Sequence, residues 1–290
     1  MYWLCIFYHT KTVRISNTSG GGACLALLEH RQHGNSISAY YGTLKEPMEE
    51  RLIAQMRRDE ERHWWFAGRR QVLLALVASE QLGPRARLLD VGCGTGFFLE
   101  AAAERYAVAG LDPSPQAVGF CLERGLTGVR EGGVTALADM TSDFDAVTFF
   151  DVIEHLPDDL GALRLARQVL RPGGRVFVSV PAYQWLWSHH DEAHGHQRRY
   201  ASEWLRQRLA TAGFTNTRTG YFNTRLLPLA LLVRGFQRMT GRGLEADLQP
   251  PPDTVNRLFT RIFAGEAGRL GRPGSSGYPF GLSVFGVGAA

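Results

Sequence analysis

Hydrophobic and polar positions follow two different patterns along this chain. Between residues 49 and 79, apolar side chains recur at helical spacing, first at Leu52, Ile53 and Met56 and again over residues 72–77. From residue 87 onward, short apolar runs alternate with amphipathic stretches, a pattern that predicts parallel strands joined by crossover helices. Residues 1–47 follow neither pattern and are mostly polar, so we expect a disordered extension, or one upstream of the true start at Met48.

The apolar runs predict seven strands: the third lies, with its loop, within 127–134, and the others at 87–91, 108–112, 144–150, 175–180, 215–222 and 278–288. Their alternation with helices predicts an α/β fold with a doubly wound, mostly parallel sheet. Before the last strand, 226–236 and 256–263 read as apolar helices, each shorter than the roughly 18 residues that span a bilayer. We therefore expect covering helices at 48–86, a core of 87–222 with 278–290, and a helical insertion at 223–277.

The clearest chemical signal is residues 88–100, LLDVGCGTGFFLE, in which an apolar strand ends at Asp90 and three glycines follow. Gly92, Gly94 and Gly96 allow a sharp turn and a close approach of a ligand to the backbone. A helix that begins after such a turn directs its free N–H groups and its positive end at that ligand. A dinucleotide fingerprint needs a glycine where Phe97 stands, so a hydride-transferring dehydrogenase is disfavoured.

Several segments in combination resemble the class I S-adenosylmethionine-dependent methyltransferases: LLDVGCGTG, FDAVTFFDVIEHL, LRPGG, and AGF before the last strands. The similarity extends to the ubiquinone-biosynthesis O-methyltransferases and to methyltransferases of the cell envelope. It implies a Rossmann-like seven-stranded sheet with an antiparallel last strand, and S-adenosylmethionine as the cofactor. The cofactor-binding residues that it implies are Arg69, Arg70, Asp90, Gly92, Gly94, Gly96, Asp112, Gly133, Val134, Phe150 and Asp151.

Asp112 follows Asp90 by 22 residues, close to the spacing expected of a ribose-binding acid at the end of the next strand. The same acid also suits a helix cap. The family usually holds adenine with an acid near residue 132, where this chain has glycines, so backbone groups at Gly133 and Val134, or Glu131, are expected there. In the family an arginine after a Trp-rich helix pairs with the cofactor carboxylate, which leaves Arg69 and Arg70 as alternatives.

A loop rich in histidine follows the fifth strand and holds His189, His190, Asp191, Glu192, His194 and His196. The spacing matches neither H-E-x-x-H nor a triad of two histidines and one carboxylate, so no metal site is predicted. D-x-x-x-G-H-x-R-R-Y resembles a pattern in methyltransferases with polyprenyl or cell-envelope substrates, which implies that the loop covers the acceptor pocket.

Three residues are candidate bases in that pocket: His155, His190 and Asp191. The alternative for His155 is structural: a Glu-His pair such as Glu154 and His155 at the start of a helix can hold a neighbouring loop by hydrogen bonds. The implied substrate-binding residues are His196, Arg198, Arg199 and Tyr200, with an arginine holding a phosphate or a carboxylate. The alternative for residues 196–200 is a network that fixes the loop.

Composition limits the function classes. Hydrophobic residues make up 44% and charged residues 21%, as in ordinary soluble domains, and the four cysteines form no C-x-x-C pair, which indicates a reducing cytoplasm. Residues 195–273 hold 13 arginines against 5 acids, but no nucleic-acid-binding motif accompanies them, so no nucleic acid is expected. Basic-edged apolar helices suit either a membrane surface or a cap on the sheet.

These features predict methyl transfer to a small-molecule or lipid-linked acceptor, with contact at the inner membrane face. The alternative is a catalytically silent module that binds S-adenosylmethionine at a membrane surface.

Overall fold

The structure is a computed structural model that describes residues 46–188, 191–192, 194–232 and 251–290. Seven strands form one sheet in the order β3-β2-β1-β4-β5-β7-β6. The strands are β1 Arg87–Val91, β2 Ala107–Asp112, β3 Val129–Glu131, β4 Phe144–Phe150, β5 Leu170–Pro181, β6 Thr215–Phe222 and β7 Ser283–Ala289. The α-helices whose two ends are both described are α1 Glu46–Asp59, α2 Trp64–Ala78, α3 Phe97–Ala102, α4 Pro115–Glu123, α5 Asp159–Val169, α6 Ser202–Thr211, α7 Asp253–Ala264 and α8 Ala267–Leu270.

The sheet confirms the predicted topology. Strands β1 to β5 pair in parallel, and β7 lies antiparallel between β5 and β6. β4 is buried along almost its whole length because helices cover both faces of the sheet. The register sets Asp90 beside Gly110 on one side and Thr148 on the other, so the carboxyl ends of β1, β2 and β4 meet at one edge. Ligand crevices of open α/β sheets lie at this edge.

β2 begins one residue earlier than predicted, β3 occupies only Val129–Glu131 of its predicted segment, and the bounds of β5 and β7 differ by more. β5 begins at Leu170, because the segment before Arg175 continues beside Phe144 through an irregular register. β7 begins only at Ser283, since Tyr278 makes an isolated bridge to Tyr221 and the chain then turns before it joins the sheet.

The aromatic residues near the N-terminus lie inside α2, where they meet α7 of the insertion. The Trp64 backbone N–H donates to Oδ1 of Asn256 at 2.8 Å, and the rings of Trp65 and Phe263 lie 5.1 Å apart. A Cβ on Gly68 would lie 2.9 Å from Cβ of Phe263, so the two helices touch where α2 lacks a side chain. The N-terminal helices and the insertion therefore form one cover.

Three groups of predicted features fall outside the described residues: the segment up to residue 45, His190 in the loop after β5, and Arg234 with Arg238 at the edge of the first apolar helix. That helix is described from residue 227 to residue 232. Across the described ranges, every helix is too short or too polar to cross a membrane.

Candidate active site

The turn after β1 needs its glycines for steric reasons. Gly92, Gly94 and Gly96 have φ angles of +75°, +54° and +79°, a left-handed conformation that suits glycine. A Cβ on Gly92 would lie 2.5 Å from Val152, whereas one on Gly94 would meet nothing closer than the Met56 methyl at 3.2 Å. The turn is thus packed beneath Gly92 and covered over Gly94 by a flexible side chain of α1.

A cavity of about 330 Å³ opens at this turn, beneath the cover formed by α1 and α2. This volume lies at the lower end of the range for small-molecule sites, about 300–1,000 Å³. Of the predicted site residues, the cavity is lined by Arg69, Asp90, Gly92, Gly94, Phe150, Asp151, His155 and His196.

The structure distinguishes between the two candidate arginines. Arg69 lines the cavity, where its Nη2 donates to Oγ of Ser179 at 2.7 Å and pairs with Asp151 at 2.5 Å. Its Nε is buried without a hydrogen-bond partner among the described residues. Arg70 instead stacks on the Phe97 ring, with its guanidinium carbon 3.8 Å from the ring centre. Of the two arginines, Arg69 is thus the one that lines the cavity.

Two acids flank the glycine turn. Asp90 is buried in the cavity wall and accepts a hydrogen bond from Thr148, and burial raises its pKa to about 7. Asp112 ends β2, where its carboxylate accepts from the N–H of Gly94 at 2.7 Å and of Ser114 at 2.9 Å. These two hydrogen bonds fix the glycine turn to the end of β2.

Some predicted cofactor residues do not line the cavity. Gly133 precedes a 3₁₀ helix, Val134–Asp139, whose side chains pack toward α5 rather than into the cavity wall. Gly96 is the N-cap of α3, and a Cβ on it would point at Leu126 and Cys121. Asp112 likewise lies behind Gly94 rather than in the wall.

The residues after β4 enter the cavity through a strained turn. Asp151 has a φ of +60°, a conformation that costs a non-glycine residue energy and is found at functional sites. Glu154 is completely buried, and both of its carboxylate oxygens lack a hydrogen-bond partner among the described residues. Burial, with Asp151 nearby, raises the pKa of Glu154 well above its usual range. A buried carboxyl without a partner marks an unusual, costly position.

His155 lines the cavity and also holds the loop after β5. Its Nδ1 lies 3.0 Å from the His194 carbonyl oxygen, which can only accept, so this nitrogen carries the proton. Its ring lies 4.6 Å from the ring of His196 in an edge-to-face arrangement. Burial, with His196 nearby, lowers the pKa of His155 to about 4, so the ring is neutral at physiological pH.

Asp191, one of the predicted bases, is held by contacts within the loop after β5. Asp191 and Arg199 are both buried, and they form two parallel hydrogen bonds of 2.7 and 3.0 Å. Asp191 also accepts from the backbone of Ser188 at 2.8 Å, and Nδ1 of His196 lies 2.8 Å from its second oxygen. Neither Asp191 nor Arg199 lines the cavity, because the pair is enclosed in the loop that it fixes.

Arg198 and Tyr200 likewise bind protein groups instead of the cavity. The Tyr200 hydroxyl donates to Asp159 at 2.8 Å, and Arg198 pairs with the same carboxylate at 3.3 Å. These contacts tie the loop to the start of α5, which corresponds to the alternative of a loop-fixing network. Of the four predicted substrate-binding residues, His196 is the one that lines the cavity.

Known proteins that are similar to this chain are methyltransferases. The family model described as "Methyltransferase domain" matches residues 58–219, more than half of the chain. The chain belongs to this methyltransferase family. Similar curated proteins include the ubiquinone biosynthesis O-methyltransferases of Xanthomonas campestris, 37% identical over 132 residues, and of Aeromonas salmonicida, 40% identical over 102 residues. Those matches cover 40% and 32% of this chain and 55% and 42% of the relatives, so the chain spans about half the length of the curated relatives.

Solved methyltransferases share the fold. A SAM-dependent methyltransferase of Thermotoga maritima aligns with 83% of this chain and 96% of its own, with 19% identity and a TM-score of 0.53. A methyltransferase in complex with the Haloferax volcanii Trm112 activator aligns with 83% and 95%, with 19% identity and a TM-score of 0.54. At these identities the likeness shows the class I methyltransferase fold.

The methyltransferase domain also holds residues to which the sequence assigned no role. Glu60 follows α1 and forms a buried ion pair of 2.6 Å with Arg124, while Thr95 of the glycine turn donates to the same carboxylate. Nε of Arg124 donates to the Thr95 carbonyl at 3.0 Å. This trio binds the cover to the glycine turn. Its members lie far apart in sequence, so no local pattern indicates them.

Proposed function

We propose that this protein transfers a methyl group from S-adenosylmethionine to an acceptor held in the cavity at the carboxyl ends of β1 and β4. The observation that carries the proposal is the glycine turn, which opens at Gly94 directly beneath the cover. The residues present fit the cofactor: Arg69 offers a buried, unpartnered Nε to its carboxylate, and Asp90 offers an acceptor to its ammonium group. Bound S-adenosylmethionine would supply an electrophilic methyl group.

The residues of the chain have the remaining tasks of alignment and exclusion of water. The edge-to-face pair of Phe98 and Phe150, with ring centres 4.9 Å apart, forms an apolar wall beside Asp151. The cover helices close the opposite side. Alignment of two reactants in a dry site supplies most of the acceleration that such a transfer needs.

The adjacent arginines provide a matched test of the cofactor site. Arg69→Gln should weaken S-adenosylmethionine binding by about 1.5–3 kcal/mol, because the ligand loses hydrogen bonds to a charged donor. Arg70→Gln, one position along α2, should bind as the unchanged protein does, because Arg70 stacks on Phe97 outside the cavity. Calorimetry with S-adenosylmethionine, S-adenosylhomocysteine and NAD measures this. Preferential binding of NAD, or equal effects of the two substitutions, would contradict the assignment.

We further propose that the acceptor is lipid-linked and that the protein meets it at a membrane surface. One face of α7 packs on α2, with the Phe259 and Trp64 rings 5.4 Å apart, while Val255 and Leu258 on the other face are exposed. Arg257 lies between them and is also exposed. An exposed face of apolar and basic side chains beside the cavity cover suits an anionic lipid surface.

Sedimentation with vesicles tests this proposal. The protein should sediment with anionic vesicles at low salt and less so at high salt, because arginine attraction to the surface is screened. Leu258→Asp should reduce binding, whereas Leu122→Asp, on the exposed surface of α4, serves as a matched control and should not. Equal binding by the two variants would contradict a membrane contact through the exposed face of α7.

The alternative is a module that binds the cofactor at a membrane surface and transfers nothing. The exposed face of α7 supports this alternative as much as it supports the enzyme, because both need the membrane contact. Transfer of labelled methyl groups to extracted lipids or small molecules distinguishes them. Cofactor binding without transfer to any extract would favour the silent module.

A further inference from the structure

Three side chains that offer metal ligands meet in the wall of the cavity. The ligand atoms of Glu154, His155 and His196 all lie within 4.8 Å of one another. Two of these residues follow β4 and the third belongs to the loop after β5, so the sheet brings together segments 41 residues apart. Each of the three lines the cavity that also holds Arg69 and Asp90.

The carboxylate of Glu154 is the unusual member of this cluster. Glu154 is completely buried, and both oxygens lack a hydrogen-bond partner among the described residues. An unpaired buried carboxylate costs several kcal/mol. The two arginines that act electrostatically on Glu154 pair with other groups: Arg69 with Asp151 and Ser179, and Arg199 with Asp191. A cation bound between Glu154 and the imidazoles would satisfy the carboxylate.

The histidines are oriented as metal ligands usually are. Nδ1 of His155 faces the carbonyl oxygen of His194 at 3.0 Å, and Nδ1 of His196 faces the Asp191 carboxylate at 2.8 Å. Metal-bound histidines almost always give their second nitrogen to a carbonyl or carboxylate, which fixes the tautomer and the ring orientation. Arg199 in turn holds Asp191 by two hydrogen bonds. The buried Asp191–Arg199 pair would thus orient the ring of His196.

We propose that Glu154, His155 and His196 form a site for a divalent cation of the Zn²⁺ class. Two imidazoles and one carboxylate leave at least one coordination position open, as in catalytic zinc sites. Ligand atoms on one Zn²⁺ lie roughly 3.4 Å apart at tetrahedral angles, so small side-chain rotations close the site. Because all three residues line the cavity, an open position would be available to an oxygen of the acceptor. That role in acceptor binding rests on the proposed function, whereas the binding of the metal does not.

Metal binding is measured on the full-length protein after removal of bound metal with a chelator. The unchanged protein should take up one equivalent of Zn²⁺, and X-ray absorption should show two histidine nitrogens in its shell. Glu154→Gln and His196→Gln should weaken Zn²⁺ binding at least 100-fold. His194→Ala is the matched control from the same loop: it keeps the backbone carbonyl that faces His155, so it should bind one equivalent.

Uptake of less than about 0.1 equivalents by the unchanged protein would overturn the proposal, as would a zinc shell without histidine. Equal affinity in the Glu154→Gln, His196→Gln and unchanged proteins would also overturn it. If a variant fails to fold, the X-ray absorption spectrum of the unchanged protein still decides. Calorimetry with S-adenosylmethionine on the metal-free protein separates the two proposals: zinc uptake without cofactor binding would refute the methyltransferase alone.

Discussion

Asp191→Asn is the substitution that best distinguishes a structural loop from a catalytic one. The side chains of Asp191 and Arg199 are fully buried and form a two-bond ion pair of 2.7 and 3.0 Å. Burial opposes ionisation of Asp191, but hydrogen bonds from His196 and Arg199 outweigh it and hold its pKa well below the usual range. The substitution removes the negative charge and leaves the Arg199 guanidinium buried without its counter-ion.

The expected cost follows from that geometry. Removal of one partner of a buried ion pair destabilises a protein by about 3–5 kcal/mol, because the remaining charge stays desolvated. In a domain of this size each kcal/mol lowers the melting temperature by about 2–4 °C, so we expect a fall of about 6–20 °C. The double variant Asp191→Asn/Arg199→Met should recover part of that loss, because no unpaired charge remains in the loop.

Thermal unfolding followed by circular dichroism measures the effect. Glu203→Gln, in an exposed pair with Arg206 at 2.6 Å, is the matched control and should leave the melting temperature unchanged. A melting temperature of Asp191→Asn within about 2 °C of the unchanged protein would refute the structural role. If that stable variant also lost methyl transfer, Asp191 would again be a candidate proton acceptor.

Three further predictions concern the cofactor site and the N-terminal segment. Asp112→Ala should weaken S-adenosylmethionine binding by about 1.5–3 kcal/mol in calorimetry, and unchanged affinity would remove Asp112 from the site. The pKa of Asp90 is raised to about 7, so the folded state holds a proton that the unfolded state releases near pH 4; Asp90 therefore lowers the stability progressively as pH rises to 7. The melting temperature of Asp90→Asn, relative to that of the unchanged protein, should therefore rise between pH 5 and pH 8. A difference that stays constant over this range would contradict the burial argument. Removal of residues 1–47 should leave folding and cofactor affinity intact, because the sequence there lacks a periodic apolar pattern; a large fall in melting temperature would show that the segment packs on the domain.

The sequence predicts the sheet well because its strands carry their own local signals. β1, β4 and β6 are continuous segments bounded by turns, and their predicted ends coincide with the observed ones. The glycine turn is equally local, since three glycines in five residues serve one backbone conformation. Where several residues act together within one short segment, the pattern along the chain is sufficient.

The side-chain roles in the loop after β5 were harder to predict because burial decides them. In the sequence, Arg199 is a candidate to bind an anion because it is an arginine. Its buried pair with Asp191 shows that its charge is already neutralised within the protein. The same holds for Tyr200, whose hydroxyl is bound by Asp159 on α5. Arg69 and Arg70 are chemically identical in the sequence, and the direction in which each leaves α2 separates them.

The cluster of Glu154, His155 and His196 shows another limit. Within the histidine-rich loop, the spacings of the ligand residues match no metal site. The structure instead joins one histidine of that loop to a Glu-His pair that follows β4. Such a combination depends on the adjacency of β4 and β5 in the sheet, which a spacing rule within one segment does not contain.

The contact between α2 and α7 has a consequence for the time course of biosynthesis. Trp64 and Asn256 are separated by 192 residues, so at 5–20 residues per second a ribosome makes the second about 10–40 s after the first. During that interval α2 presents Trp64 and Trp65 without the helix that covers them, on a nascent chain whose sheet also awaits β7. A message truncated within the insertion would therefore yield an uncovered apolar helix and an incomplete sheet, the kind of product that chaperones retain and proteases remove.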